Sequence, residues 1–142
     1  MTYPMILAPL FVLVVMTFAL GIFLAVLRGP PLMRGAIRPE QVSLREPNWP
    51  PRALQVGYSF QNQFELPVLF YVLTILALIT KHADTLFVTM AWIFVLFRLA
   101  HAYVHVTSNN LRARGGLFGI AALVLAIMWV IFSVRIMLGL PY

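Results

Sequence analysis

The sequence has no cysteine and only four acidic residues among its 142 positions. Without a thiol, the chain cannot form disulfides, bind a metal through thiolates or use a cysteine nucleophile. Charged residues make up 10% of the chain and hydrophobic residues 62%, whereas soluble domains are about 25% charged and roughly 45–50% apolar. A chain of one domain's length cannot bury that much apolar surface in water. The composition therefore predicts an integral membrane protein with a single domain over residues 1–142.

Basic residues outnumber acidic residues by ten to four, which gives a formal net charge of +6. In a soluble protein this balance would favour a nucleic-acid partner. Here the arginines lie between long apolar segments, a position typical of residues that set membrane topology. We therefore predict no nucleic-acid partner. The first apolar segment is too long for the core of a signal peptide and lacks a small-residue cleavage site, so it is predicted to be a mature span.

Four apolar segments are each long enough to cross a bilayer, which takes about 20 residues in a helix. They are predicted to cover about residues 4–27, 53–80, 85–106 and 117–140. Arg28 and the pair Pro30-Pro31 are expected to end the first span. Pro67 is expected to bend the second span near Gln63, because proline lacks a backbone N–H donor. The predicted fold class is an all-α integral membrane four-helix bundle.

The loops between the spans differ in charge. The connector after the first span carries five arginines: Arg28, Arg34, Arg38, Arg45 and Arg52. The turn after the third span carries Arg112 and Arg114, whereas the turn after the second carries only Lys81. Because positively charged loops tend to stay in the cytoplasm, both arginine-bearing loops are predicted to be cytoplasmic. Both termini are then on the non-cytoplasmic side. The expected location is a bacterial inner membrane, which the chain crosses four times.

Polar residues occur inside two of the spans. Asn62 and Glu65 are three residues apart in the second span, and Arg98, His101 and His105 share one helical face of the third. At 1.5 Å per residue, Asn62, Glu65 and Arg98 all lie on the order of 15–20 Å from the cytoplasmic boundary. A charge facing lipid at that depth would cost several kcal/mol. We therefore predict that Glu65 pairs with Arg98 inside the bundle.

These polar residues are more numerous than one ion pair requires. His101, His105 and Tyr103 add further polar groups in the third span, and Arg112 and Arg114 lie at the nearby mouth. An excess of donors over acceptors at one place is typical of a pocket for an anionic ligand. The alternative is that the buried polar residues only orient the helices.

The same residues allow other interpretations. His101, His105 and Glu65 would make a two-histidine, one-carboxylate metal site, but the nearby Arg98 would repel a dication, so no metal is predicted. Haem would need a histidine on another span, and His82 lies in a turn. Ion transport stays open, although the chain lacks the internal repeats usual in transporters. Trp49 is interpreted as a packing or interface residue. Arg135 is expected to extend to the headgroups.

Two short motifs stand in the second and third spans: Asn-x-x-Glu in "NQFELP" and Arg-x-x-His in "FRLAHAYVH". In their order, helix placement and matching depth they resemble the MAPEG family, the membrane-associated proteins of eicosanoid and glutathione metabolism, and in particular its microsomal glutathione transferases. The resemblance covers nearly the whole chain. It implies a homotrimer with a glutathione site at each subunit interface, open to the cytoplasm.

The resemblance also implies roles for individual residues. Asn62 and Glu65 would bind polar groups of the peptide, the carboxylate facing its amino end, and Arg98 and His101 would belong to the same site. His105 stands where glutathione-using members commonly carry tyrosine. Arg114, rather than Arg112, would match the arginine that opens the fourth span and would stabilise the thiolate. Arg28 would match a family arginine at the end of the first span, which implies that it binds the ligand.

Three positions depart from the family pattern. Gln61 stands where glutathione-using members generally carry an arginine, and Gly115 and Phe118 supply no hydroxyl where the enzymes place a serine. Two functions therefore stay open. One is a glutathione-dependent transferase or peroxidase acting on lipophilic substrates that enter from the membrane lipids. The other is a noncatalytic MAPEG-like membrane protein that binds a lipid or a protein partner.

Overall fold

The computed structural model describes residues 2–44 and 47–140. It contains five α-helices: α1 (Tyr3–Met33), α2 (Pro51–Gln61), α3 (Leu66–Ile79), α4 (Thr85–Val106) and α5 (Leu111–Met137). Short 3-10 turns cover Pro39–Gln41 and Asn62–Phe64, and no strand occurs in the described ranges. Four helical segments are long and apolar enough to cross a membrane, with α2 and α3 together forming the second. The prediction of an all-α, four-helix membrane fold is confirmed.

The second span is interrupted between α2 and α3. After the 3-10 turn, Glu65 leaves the helical region with φ −101° and ψ −108°. Pro67 lies in the first turn of α3 and cannot donate a hydrogen bond to the carbonyl of Gln63, as a continuous helix would require. The N–H of Val68 instead bonds to the carbonyl of Glu65 at 3.1 Å. The predicted bend at Pro67 is therefore confirmed.

Two helix ends differ from the sequence prediction. The first helix does not end at Arg28 but continues to Met33. Pro30 and Pro31 lack N–H groups, but their carbonyls still accept bonds from Arg34 at 3.0 Å and from Ala36 at 2.9 Å, so they fit in the last turn.

The fourth span begins at Leu111, six residues before the predicted start. Asn110 explains the early start, because its side-chain oxygen accepts bonds from the N–H groups of Arg112 and Ala113 at 3.0 and 3.1 Å. Arg112 and Arg114 therefore belong to the first helical turns of α5 and not to the preceding turn.

The third span, α4, forms the centre of the bundle and contacts α1, α2 and α5. Its buried face packs Phe94 and Val95 against Phe70 and Leu73 of α3 and Leu125 of α5. The rings of Phe70 and Phe94 have centroids 4.9 Å apart. Large apolar side chains on α1 and α5 remain exposed, as expected for helices that contact lipid or another subunit.

Hydrogen bonds show which loops share an end of the bundle. Near the start of α2, Arg52 donates to the carbonyl of Val106, and Gln55 donates to that of His105 at 2.7 Å. The connector and the turn 107–110 therefore lie at one end, which we call the arginine-bearing end. Arg45, one of the connector arginines, lies outside the described residues.

The opposite end joins the start of α4 to the end of α5. Asp84 accepts a bond from the N–H of Phe87 at 2.9 Å and forms an ion pair with Arg135 at 2.8 Å. The structure thus gives Arg135 a partner at this end of the bundle, and its extension to the headgroups stays a prediction. The guanidinium of Arg135 reaches the carboxylate of Asp84 and bonds to it.

Candidate functional site

Arg98 is the central buried charge of the molecule, with no exposed surface. Its Nη2 donates to the side-chain oxygen of Asn62 at 2.6 Å, to the backbone carbonyl of Asn62 at 3.2 Å and to Gln63 Oε1 at 3.3 Å. In an uninterrupted helix the Asn62 carbonyl would accept the N–H of Leu66. The break in the second span therefore leaves a backbone acceptor available to the guanidinium.

The predicted pairing of Glu65 with Arg98 does not occur as a direct contact within the chain, whereas a contact through one water or across a subunit interface stays a prediction. Among the described residues the two side chains form no ion pair. Glu65 Oε2 instead accepts a hydrogen bond from Asn62 Nδ2 at 2.8 Å. The amide of Asn62 has a donor and an acceptor, so it fits between the two charges and bonds to both. The carboxylate is left on the exposed side of the helix break.

Next to Glu65 the surface opens into a cleft of about 250 Å³. Five candidate ligand-binding or catalytic residues from the sequence line it: Asn62, Glu65, His101, His105 and Arg114. The rest of the wall is formed by one glycine and two apolar side chains: Gly115, Leu111 and Phe118. Arg98 lies behind this wall, with its guanidinium carbon 5.9 Å from the ring centroid of Phe118. The structure thus brings residues of the second, third and fourth spans to one place.

The two histidines of the cleft are almost completely buried, with 3% and 5% of their surface exposed. His101 Nδ1 lies 3.0 Å from the carbonyl oxygen of Arg114. A carbonyl can only accept, so Nδ1 carries the proton and Nε2 of the neutral ring is left as an acceptor. Neither His101 Nε2 nor His105 Nδ1 has a hydrogen-bond partner within the described chain. The cleft is therefore lined by two imidazoles whose unpaired nitrogens are themselves buried.

Arg114 supplies the positive charge of the cleft. Its Nη1 donates to the side-chain oxygen of Asn109 at 2.6 Å. Arg112 is exposed and does not line the cleft. The choice of Arg114 over Arg112, made from the family pattern, thus agrees with the geometry. Asn109 was missed by the sequence analysis because an asparagine in a polar turn carries no signal of its own.

Arg28 lies apart from the other candidate residues. It borders a second cavity of about 410 Å³ between α1, α2 and the connector, together with Tyr58 and Gln61. Its guanidinium carbon is 4.7 Å from the ring centroid of Trp49, a cation–π contact that adds to the packing role expected for this tryptophan. A Cβ added at Gly57 would be only 2.8 Å from Arg28 Nη2, so the missing side chain leaves room for the arginine.

A metal centre has no support in the geometry. In residues 2–44 and 47–140 no three His, Asp or Glu side chains are grouped so that they could hold a metal ion. The donors of the cleft are instead an amide, a carboxylate, imidazoles and a guanidinium. Such a set suits a ligand that carries both positive and negative groups.

Fold and cleft together define a membrane protein of four helical spans with a polar, partly buried site at the break in the second span. The chain belongs to the MAPEG family, whose family model matches residues 6–133. Membership supports a membrane protein of the kind that acts in glutathione and eicosanoid metabolism. Searches of curated proteins and of solved structures gave no match.

Proposed function

We propose that this protein is a glutathione-dependent transferase or peroxidase that acts on lipophilic substrates in the membrane. The observation that carries the proposal is the cleft in which Asn62, Glu65, His101, His105 and Arg114 converge. It combines an anionic group, a cationic group and neutral hydrogen-bonding side chains around one small volume. A peptide thiol with an ammonium group and carboxylates has matching chemistry.

Each side chain has a part in this proposal. Glu65, held by Asn62, binds the ammonium group of the peptide, because a carboxylate that already accepts one hydrogen bond can accept others. Arg114 stabilises the thiolate, since a nearby cation favours the charged form of a thiol. Arg98 does not reach the ligand in this arrangement and fixes Asn62 from behind. His101 and His105 accept or donate hydrogen bonds along the wall.

We further propose that the working unit is a homotrimer with each site at a subunit interface. The separate position of Arg28 supports this arrangement. Arg28 faces a cavity between α1, α2 and the connector, away from the cleft of its own chain. If the α1 face of one subunit lies against the cleft of its neighbour, Arg28 completes the site from across the interface. The lipophilic substrate then reaches the site laterally from the bilayer.

The thiolate itself gives the test. Glutathione added to purified protein should produce the ultraviolet absorbance of a thiolate at a pH where the free thiol is mostly protonated. Arg114→Ala should abolish this signal and keep part of the binding, because Asn62 and Glu65 remain. Glu65→Ala should weaken binding itself by about ten- to a hundredfold, the equivalent of about 1.5–3 kcal/mol for a charge-assisted contact. Arg112→Ala is the matched control and should change neither quantity.

A noncatalytic binder of a lipid or protein partner is the second candidate. Gly115 and Phe118 line the cleft without supplying a hydroxyl, and Gln61 faces the Arg28 cavity where glutathione-using members generally carry an arginine. Glutathione binding without a thiolate signal in the wild type would favour this candidate. Absence of binding at millimolar glutathione would reject the thiol chemistry altogether.

A further inference from the structure

We infer that Asn109 is a positioning residue for Arg114, and that its neutral amide holds the guanidinium at the cleft without cancelling its charge. The inference rests on the proposed function, because Arg114 matters to it as the group that stabilises a thiolate. Asn109 lies in the turn between α4 and α5, outside the motifs that identify the family. Its part in the site is visible only in the folded chain.

The backbone of the turn fixes where the Asn109 side chain begins. Asn109 has φ +51°, in the left-handed region that asparagine tolerates better than most residues with a side chain. Its N–H donates to the carbonyl of Val104 at 2.8 Å, which closes the end of α4. A residue tied to the helix in this way presents its side chain in one direction.

The side chain then crosses from the turn to the first turns of α5. Asn109 Oδ1 accepts from Arg114 Nη1 at 2.6 Å, a short, charge-assisted hydrogen bond. The neighbouring Asn110 has a separate task, since its Oδ1 accepts from the N–H groups of Arg112 and Ala113. Capping of α5 therefore does not depend on the side chain of Asn109.

Arg114 is thereby fixed at two points. Its carbonyl oxygen is 3.0 Å from His101 Nδ1, which ties its backbone to α4, and its guanidinium is tied to Asn109. A free arginine side chain at the mouth of a cleft would sample many rotamers and spend much of its time in water. A carboxylate in place of Asn109 would also hold the guanidinium, but its negative charge would oppose the stabilisation of a second anion beside it.

The experiment measures the pH midpoint of the thiolate absorbance of bound glutathione, together with the dissociation constant, in full-length protein. Asn109→Gly removes the amide and suits a positive φ, so the turn is retained. We expect the midpoint to rise by about 0.5–1 pH unit, a three- to tenfold loss of thiolate below the midpoint, with a change in affinity of no more than about threefold. Asn109→Asp keeps the hydrogen bond and should also raise the midpoint, because it neutralises Arg114.

The control is Asn110→Ser, which keeps a side-chain oxygen at the helix cap and should leave the midpoint unchanged. A midpoint that stays at the wild-type value in Asn109→Gly or in Asn109→Asp overturns the inference and leaves the proposed function standing. A fall in melting temperature alone would show a purely structural role and would overturn it as well. If the wild type itself gives no thiolate signal, the proposed function and the positioning role fail together.

Discussion

At the residue scale, the buried charge of Arg98 is surrounded by neutral acceptors. The side-chain and backbone oxygens of Asn62 and the side-chain oxygen of Gln63 receive its hydrogen bonds, and Glu65 is reached only through the amide of Asn62. Nη2 carries all of these bonds, since Nε and Nη1 of Arg98 have no partner among the described residues, so removal of a partner leaves the buried charge with little compensation. Asn62 is thus the residue on which the arrangement depends.

We expect Asn62→Ala to destabilise the protein by about 1–3 kcal/mol, the usual penalty for a buried polar group that loses its partner. The measurement is the free energy of unfolding in detergent. Gln61→Ala is the matched control, because Gln61 is exposed on the adjacent position of α2 and should change stability little. Equal stability of the two variants would contradict the central role of Asn62. Glu65→Gln should cost less than Asn62→Ala, since Glu65 is exposed and glutamine can still accept the bond.

Some features of the site were predicted from the sequence and others were not. Depth placed Asn62, Glu65 and Arg98 at one level and spacing placed His101 on the same helical face as Arg98, and the structure brings these residues together. A direct contact of Glu65 with Arg98 is absent within the chain, because spacing does not tell which of two neighbouring acceptors occupies the space beside a guanidinium, and here Asn62 occupies it. Asn109 was missed because its contribution depends on the direction of a turn, which a polar tetrapeptide leaves undetermined.

At the scale of elements, apolar runs predicted the helices and proline predicted the break in the second span. The residues at which the helices begin and end were harder to predict from the sequence. The start of α5 is set by the cap that Asn110 provides, so six residues that are not apolar enough for a span are still helical. The end of α1 depends on carbonyls that accept bonds after two prolines. Hydropathy reports burial in lipid and is insensitive to hydrogen bonds at helix ends.

The ion pair between Asp84 and Arg135 links the first turn of α4 to the last turns of α5, and it makes stability depend on pH. Partial burial raises the pKa of Asp84, but the bond from the Phe87 N–H and the Arg135 guanidinium outweigh it, so the pKa lies below its usual value. A carboxyl whose pKa is depressed on folding stabilises above its unfolded pKa of about 3.9 and loses this effect as pH falls through its folded pKa.

We therefore expect Asp84→Asn to lower the melting temperature at neutral pH, and we expect this difference from the wild type to shrink below the unfolded pKa of about 3.9 and to vanish below the folded pKa. The effect should be modest, because about a quarter of the Asp84 side chain is exposed and water screens the pair. Parallel melting curves of the two proteins from pH 7 down to about pH 2 provide the measurement, and the difference between them removes the contribution of other carboxyl groups. A constant difference across that range would contradict this account.

At the scale of the whole molecule, seven arginines in the sequence lie near the connector and the turn 107–110, against Lys81 and the ion-paired Arg135 near the other end, and this asymmetry predicts the orientation in the membrane. Hydrogen bonds of Arg52 and Gln55 to the end of α4 place the connector and that turn at the same end of the bundle. The connector and the turn are therefore expected on the same side of the membrane, as the charge asymmetry requires.

Single cysteines introduced at Gln41 and Asn110 should be labelled from the cytoplasmic side, and those at Ala83 and Tyr142 from the other side. The absence of natural cysteine makes each label unambiguous. Tyr142 lies outside the described residues, so its label tests the sequence prediction alone. Labelling of Gln41 only from outside would reverse the orientation and with it the proposed access of the site to cytoplasmic glutathione.

The interrupted second span has a consequence for how the protein is assembled during synthesis. α2 has 11 residues and α3 has 14, so at 1.5 Å per residue neither half alone crosses a hydrocarbon core of about 30 Å. At the break, the backbone carbonyl of Asn62 accepts a hydrogen bond from Arg98 of α4, which is the next span to be translated. Until α4 arrives, the side-chain and backbone oxygens of Asn62 lack the guanidinium of Arg98 as a donor in a nascent membrane segment. We therefore expect the second span to reach its final conformation only together with the third, so that the two spans insert as a pair.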